Sequence, residues 1–214
     1  MTRAFRKPSD FPSEIPIFPL PGAVLFPGSE LPLNIFEPRY LNMVDDALSG
    51  ARLIGMIQPG QGGPEGSGLC AVGCAGRISS FQETDDGRYL IVLSGLSRFS
   101  PVRETTGARP YRAVEAAFGP FARDLRPEPA SAIDREGLLG ALETYVERQG
   151  ASADWQLIRE APDQQLVHAL ASGCPFTPPE KQALLEAGTL AERCGALISL
   201  LLMNSESGGQ GLLQ

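Results

Sequence analysis

The stretch from Ile15 to Met43, IPIFPLPGAVLFPGSELPLNIFEPRYLNM, constrains the fold more than any other part of the chain. Five prolines, Pro16, Pro19, Pro21, Pro27 and Pro32, alternate with bulky apolar residues in it, and the motif Glu37-Pro38-Arg39-Tyr40 follows them. Each proline fixes φ and removes a backbone donor, so neither a helix interior nor a central strand tolerates this spacing. Because the apolar residues still require burial, the segment predicts short strands that end at prolines and pack onto a core.

The residues after this segment predict one helix and several further strands. Pro38 suits the first turn of a helix, and apolar residues recur with helical spacing until Gly50, which is placed to end it. A strand is predicted at 53–57. The turn Asp85-Asp86-Gly87 predicts a hairpin between strands at 69–81 and 88–99. Because residues 89–93 are apolar throughout, we expect that strand to be covered on both faces.

The pattern changes from strands to helices in the second half of the chain. A last strand is predicted from Tyr111 to Phe118, and Pro127 and Pro129 indicate a linker. Beyond it, helical stripes and the capping box Thr177-Pro178-Pro179-Glu180 predict several short amphipathic helices. The resulting fold class is α+β, with a β-rich barrel or sandwich first and a helical bundle second. The expected boundaries are a flexible arm at 1–13, the β-rich part at 14–120, a linker at 121–130, the helical part at 131–204 and a flexible tail at 205–214.

Composition excludes some classes of partner and location. The formal net charge is −7 and the pI is about 4.8, whereas general nucleic-acid binding requires a basic surface. We therefore expect no nucleic-acid partner. The longest apolar stretch, Leu197 to Met203, is too short to span a bilayer, and the N-terminus does not resemble a signal peptide. The expected location is the cytoplasm.

Neither a metal nor a cofactor is predicted. The chain has one histidine and four cysteines, Cys70, Cys74, Cys174 and Cys194, so a structural zinc site would need all four thiolates or outside ligands. We expect instead small buried side chains in a reducing compartment. The loop from Gly60 to Gly68 holds five glycines in nine residues, but it carries no Gly-Lys-Ser/Thr and opens no helix. It predicts a mobile connection between strands.

No set of catalytic residues is predicted. A Ser-His-Asp or Cys-His system would need His168, which lies beside apolar residues in a predicted helix. Ser97 lacks the second glycine of a nucleophile elbow, and turn chemistry explains Asp85 and Asp86. The chain is therefore predicted not to be an enzyme.

The opening PIFPLPGAVLFPGSELPLNIFEPRY is followed by CAGRI at 74–78, DGRY at 86–89, LSGLSRF at 93–99 and KQALLE at 181–186. In this order along the chain, these motifs resemble the N-terminal, substrate-binding domain of Lon protease. The resemblance covers 14–204 and extends to stand-alone bacterial Lon-like proteins and to the Lon-like domain of cereblon. It implies a PUA-like β pseudo-barrel with one helix, followed by a small helical bundle. The Walker A motif and the Ser-Lys dyad of full-length Lon have no counterpart in the sequence.

The resemblance implies a non-catalytic module that binds unfolded or partner proteins. The alternative is an RNA- or nucleotide-binding module, because PUA-like barrels can bind RNA. The residues singled out are Phe36, Glu37, Arg39, Tyr40, Arg98 and Trp155. Arg39 and Tyr40 would line a peptide groove, or Glu37 and Arg39 would pin the start of the helix. Arg98 would contribute to peptide binding or cap a loop, and Trp155 would serve as a ligand platform or anchor helices to one another.

Overall fold

The computed structural model describes residues 5–105, 107–126 and 133–207. The chain divides into two compact units, Met1–Glu128 and Pro129–Gln214. The first unit contains the strands, and the described residues of the second form helices without strands, so the expected α+β class is confirmed.

The first unit is built on a six-stranded mixed sheet with the strand order β2-β5-β4-β3-β1-β6. Pairing of β1 with β3 is parallel, and the other pairings are antiparallel. The strands are β1 Glu14–Pro19, β2 Glu30–Ile35, β3 Leu53–Ile57, β4 Gly73–Glu83, β5 Tyr89–Thr105 and β6 Ala113–Ala117. Prolines occupy β1 and β2 and the turns between them, as the opening segment predicts.

Two strands change neighbours along their length, and this curls the sheet. The first half of β1 pairs with β6 and the second half with β3. In the same way, β5 pairs with β4 as far as Phe99 and with β6 from Ser100 onwards. The sheet is therefore a curled pseudo-barrel and not a closed barrel: β6 pairs with both β1 and β5, whereas β2 pairs only with β5 and lies at an open edge.

The helix α1, Pro38–Ser49, begins at the predicted proline and is followed by Gly50 as its C-cap. It buries Tyr40, Met43, Val44 and Ala47, which are among the apolar residues that recur with helical spacing in the sequence. One cluster of the buried core combines residues from the start and the end of this unit. Its members are Phe11, Ile15, Ile17, Leu53, Ile57, Leu69, Ala75, Phe99, Val114 and Phe118.

The segment expected to be a flexible arm is partly docked in the structure. Residues Pro8–Asp10 form a 3-10 helix, and Phe11 is buried. The ring of Phe11 stacks on that of Phe118, with centroids 4.0 Å apart. The ring of Phe5 also packs against that of Phe11, with centroids 4.7 Å apart. An aromatic side chain gains by leaving water, which explains why this part of the arm is ordered.

The predicted linker also begins with structure. Residues Gly119–Leu125 form a 3-10 helix that lies beside β5, and its Asp124 side chain is bound by Arg98. The later linker residues 127–130 lie outside the described residues. A buried ion pair therefore orders a segment in which the sequence shows only a change of composition.

The prediction that residues 89–93 are covered on both faces is wrong. Ile91 and Leu93 are buried, but Leu90 is 40% exposed and Val92 is only half-buried. The strand therefore alternates, with one face on the core and the other facing water. The apolar run hid this alternation because the outward residues are themselves apolar.

The glycine-rich connection between β3 and β4 folds back on itself. Pro59 bridges to Leu69 and Gly62 bridges to Cys70, so the predicted strand from Leu69 begins in the sheet only at Gly73. A Cβ on Gly63 would lie 2.8 Å from the Leu69 carbonyl oxygen. Glycine is needed there because the two backbone segments approach so closely.

The second unit consists of five helices among its described residues. They are α2 Arg135–Arg148, α3 Trp155–Glu160, α4 Asp163–Gly173, α5 Pro178–Glu186 and α6 Leu190–Ser207. The predicted capping box forms at the start of α5, where Thr177 and Glu180 cap each other's backbone. Asp163 is the first residue of α4, and its carboxylate binds Arg135 of α2. The helix α6 continues into the predicted tail as far as Ser207.

Candidate functional site

The residues Phe36 to Tyr40 form a corner between β2 and α1. Glu37 is the N-cap position of α1 and has extended backbone angles, while Pro38 fills the first helical turn. An Arg39 guanidinium nitrogen lies 2.7 Å from a Glu37 carboxylate oxygen, and both side chains are about half exposed. This pair joins two neighbouring residues at the surface and does not reach another element.

Tyr40 lies under this corner and belongs to the core. Its ring packs against Phe18 of β1 with centroids 4.2 Å apart, and the Arg39 guanidinium covers the ring at 4.6 Å. Burial raises the pKa of Tyr40 above its ordinary value. The side chain is only 7% exposed, so its ring anchors α1 to β1 and offers little area to a ligand.

Arg98 is buried in the second half of β5, where it binds Asp124. The Arg98 Nε and a terminal nitrogen donate to the two Asp124 carboxylate oxygens at 2.9 and 2.8 Å. The backbone N–H of Arg98 donates to the same carboxylate at 2.9 Å, and the guanidinium lies over the Phe121 ring. Arg98 therefore fastens the 3-10 helix Gly119–Leu125 to the sheet.

Trp155 lies in the helical unit, as the first residue of α3, and it is half-buried. The structure thus brings together Phe36, Glu37, Arg39 and Tyr40, but it places Arg98 in another part of the sheet. Of the six residues, Phe36 offers the most apolar surface, since 62% of it is exposed.

Sequence reasoning missed the surface to which Phe36 belongs, which we call the outer face. It consists of Pro32 on β2, Phe36 directly after β2, and Leu90 and Val92 on β5. Pro32 pairs with Val92 and Asn34 pairs with Leu90, so these residues alternate onto one side of the sheet. The Arg88 guanidinium lies 5.9 Å from the Phe36 ring centroid. The sequence signal that could have indicated this face is the spacing of Arg88, Leu90, Val92 and Ser94, because every second residue of a strand points to the same side.

A separate cavity of about 410 Å³ lies between the start of β1 and the end of α1. On its wall the Tyr111 hydroxyl donates to the Asp46 carboxylate at 2.6 Å, and Arg109 binds Glu14. Burial, together with that hydrogen bond, raises the pKa of Tyr111 to about 12. The polar groups on this wall are bound to one another, so the cavity has no convergent set aimed at a ligand.

The histidine considered for catalysis lies inside the helical unit. His168 is 3% exposed, and its Nε2 lies 3.0 Å from an Arg193 guanidinium nitrogen. Burial, reinforced by the Arg193 charge, lowers the pKa of His168 to about 3. Arg193 also donates to the carbonyls of Leu184 and Ala187 at the end of α5, so this buried set joins helices.

The four cysteines are buried and reduced. Within the described part of the chain, no group of three or more His, Cys, Asp or Glu side chains could hold a metal ion. The same residues include no helix that is long and apolar enough to cross a membrane.

Comparison with known families places this chain among Lon domains. Residues 14–202 match the family model described as the ATP-dependent protease La (LON) substrate-binding domain. Lon protease 2 of Sorangium cellulosum is 30% identical over 206 residues, which cover 91% of this chain and 25% of that protein. Lon protease of Anaeromyxobacter dehalogenans is 27% identical over 197 residues, covering 90% of this chain and 23% of that protein. The chain thus spans about a quarter of the length of these relatives.

Solved structures share the fold. The Lon N-terminal domain protein from Xanthomonas campestris superposes with a TM-score of 0.62 at 22% identity, covering 87% of this chain and 97% of that one. The N-terminal domain of the Mycobacterium avium complex Lon protease gives a TM-score of 0.59 at 17% identity, covering 88% and 97%. With a family match across nearly all the described residues, the chain belongs to the LON substrate-binding domain family.

Proposed function

We propose that this chain is a protein-binding module that takes segments of unfolded or partner proteins onto the sheet unit and performs no chemical step itself. The observation that carries the proposal is the family match over residues 14–202, whose description is a substrate-binding domain. The proposal concerns binding alone, because the matched region is about a quarter of the Lon proteases compared.

The exposed outer face supports this role. Phe36 and Leu90 are 62% and 40% exposed, and they lie on the same side of neighbouring strands. Apolar side chains that cluster at a surface can be covered by apolar segments of another protein, and each covered Å² contributes roughly 25 cal/mol. A folded client keeps such segments inside, so this surface would favour unfolded clients.

A binding assay with one protein in two states tests the proposal. We expect a reduced, alkylated and permanently unfolded model protein to bind the chain, and its native disulfide-bonded form not to bind, in a fluorescence-anisotropy titration. Cross-linking followed by mass spectrometry would place the contact. Equal signals from both forms, or from neither, would contradict the proposal.

The non-enzymatic part needs its own assay. We expect the purified chain to release no phosphate from ATP and no peptides from the unfolded protein. Turnover that scales with the concentration of purified chain would contradict this part while leaving binding untouched.

A further inference from the structure

Among the strands that the structure describes, none pairs with one backbone edge of β2, which we call the free edge. The strand β2 lies at one end of the strand order and pairs with β5 on its other side. The Gly95 N–H donates to the Ser29 carbonyl at 2.8 Å, just before β2 begins. Backbone groups alternate in an antiparallel pair, so Leu31, Leu33 and Ile35 turn their N–H and C=O groups toward β5. Glu30, Pro32 and Asn34 therefore turn theirs outward.

Pro32 shapes what this edge can accept. A proline in the middle of a strand is tolerated where its missing N–H would face solvent, and this is the position that Pro32 occupies. The edge thus presents N–H donors at Glu30 and Asn34 and carbonyl acceptors at all three outward residues. An extended segment could bond at both ends of β2, whereas the missing donor in the middle weakens indiscriminate pairing between sheets.

The charge around the edge selects the kind of segment. The exposed carboxylates of Glu37 and Asp86 are bound by Arg39 and Arg88. The carboxylates of Glu30 at the edge and of Asp85 in the hairpin turn have no ion-pair partner in the described part of the chain. Because the Arg39 and Arg88 charges are already paired, these two carboxylates leave an excess of negative charge, which a basic segment complements.

We propose that the free edge of β2 takes an extended, apolar and basic segment of a client protein by strand addition. This inference rests on the proposed function and names the class of segment recognised. Side chains of the added strand that point to the outer side would contact Pro32 and Phe36, while lysines or arginines would lie near Glu30. The backbone hydrogen bonds at Glu30 and Asn34 fix the segment as a strand, since only an extended chain presents matching groups along β2.

Peptides of matched composition test the occupant. The probe is a fluorescein-labelled peptide of about ten residues, with threonine at every second position and lysine or valine at the others, and it is long enough to span β2. Lysine and valine then share the face that meets Glu30, Pro32 and Phe36. Its controls are the same peptide with glutamate in place of lysine and two versions N-methylated on alternate residues, one in each phase. We expect the lysine peptide to bind, the glutamate peptide to bind at least about tenfold more weakly, and only one N-methylated phase to lose binding.

Protein variants test the edge itself. Asn34→Pro removes an outward donor, and Asn34→Ala removes only the side-chain amide. We expect Asn34→Pro to bind the peptide about tenfold more weakly than Asn34→Ala does. Pro32→Val restores the missing donor and should tighten binding roughly two- to tenfold. Circular dichroism and thermal unfolding establish that each variant is folded, and a gain of affinity in Pro32→Val cannot arise from misfolding.

The outcomes separate this inference from the proposed function. If the wild-type chain binds the unfolded model protein but neither N-methylation nor the β2 variants change peptide binding, strand addition is overturned and the binding role stands. If the unfolded protein and the lysine peptide both fail to bind, both proposals are overturned. Equal binding of the lysine and glutamate peptides overturns the preference for basic segments.

Discussion

Two strands of similar length, β3 and β2, show how differently the interior and the edge of one sheet are used. All five residues of β3 are buried, because it lies between β4 and β1 with apolar layers on both faces. In β2 only Ile35 is buried, and the outward residues Glu30, Pro32 and Asn34 are exposed. The difference shows that the interior strand β3 maintains the fold, whereas the edge strand β2 keeps exposed surface. The strands β5 and β4 lie between them.

The largest loss of stability is expected where β5 is most buried. Asp124→Ala leaves the Arg98 guanidinium inside the protein without its carboxylate, and breaking a buried pair costs about 3–5 kcal/mol. Urea unfolding followed by circular dichroism measures the change. Asp124→Asn keeps an oxygen acceptor and should lose less. If Asp124→Ala unfolds at the wild-type urea concentration, Arg98 does not fasten the 3-10 helix as the contacts indicate.

A second loss of stability is expected at Gly95 of β5, next to the part of the strand that pairs with β2. A Cβ at this position would lie 2.0 Å from the Phe26 carbonyl oxygen, so Gly95→Ala forces the backbone apart. We expect a loss of about 1–3 kcal/mol in the free energy of unfolding. Gly87→Ala is not a suitable control because that residue has a positive φ, whereas Gly107→Ala meets open space. Equal stability of Gly95→Ala and Gly107→Ala would contradict the close approach.

Tyr111, on the wall of the cavity beside β1, makes the stability of the fold depend on pH. Tyr111 has a pKa of about 12 in the folded chain and about 10 when unfolded, so the folded state retains the proton longer. Stability contributed by Tyr111 is then present below pH 10 and is lost as the pH rises toward 12. Tyr111→Phe should lower stability by about 1 kcal/mol at neutral pH and flatten the decline above pH 10. Parallel curves for the two proteins across that range would contradict the raised pKa.

The smallest effect on stability is expected on the outer face. Phe36→Ser and Leu90→Ser change side chains that are 62% and 40% exposed, so unfolding should shift by no more than about 0.5 kcal/mol each. Binding of the unfolded model protein should nevertheless weaken severalfold, since apolar contact area is lost. Urea unfolding and anisotropy on the same samples separate the two effects. A large loss of stability with unchanged binding would show that the outer face maintains the fold and does not bind the unfolded protein.

Much of the fold was predictable because its signals are local. Pro38 and Gly50 bound α1, and Asp-Gly at 86–87 turns the hairpin between β4 and β5. Thr177 and Glu180 start α5 with the predicted capping box. Each signal acts within a few residues through a fixed φ, a positive φ or a cap, so no distant contact is needed to recognise it.

The candidate site was harder to predict, since exposure depends on which elements cover a strand. Phe36 could be singled out from the opening motif, but Leu90 was expected to be buried because residues 89–93 are uniformly apolar. Tyr40 and Arg98 were considered for binding, yet one packs on Phe18 and the other binds Asp124. Residue type alone does not tell an anchoring aromatic or arginine from one that meets a ligand.

By itself, the sequence determined the class and order of the elements: proline-bounded strands, one helix that begins at Pro38, a hairpin, and then short capped helices. It also determined the family, because the motifs occur in order along the chain. Only the tertiary structure decided that β1 and β5 exchange neighbours, that Phe11 and Asp124 are docked, and that β2 keeps a free edge beside an exposed outer face. The physical reason is range: turns and caps depend on neighbouring residues, whereas burial and strand neighbours depend on contacts between segments far apart in the chain.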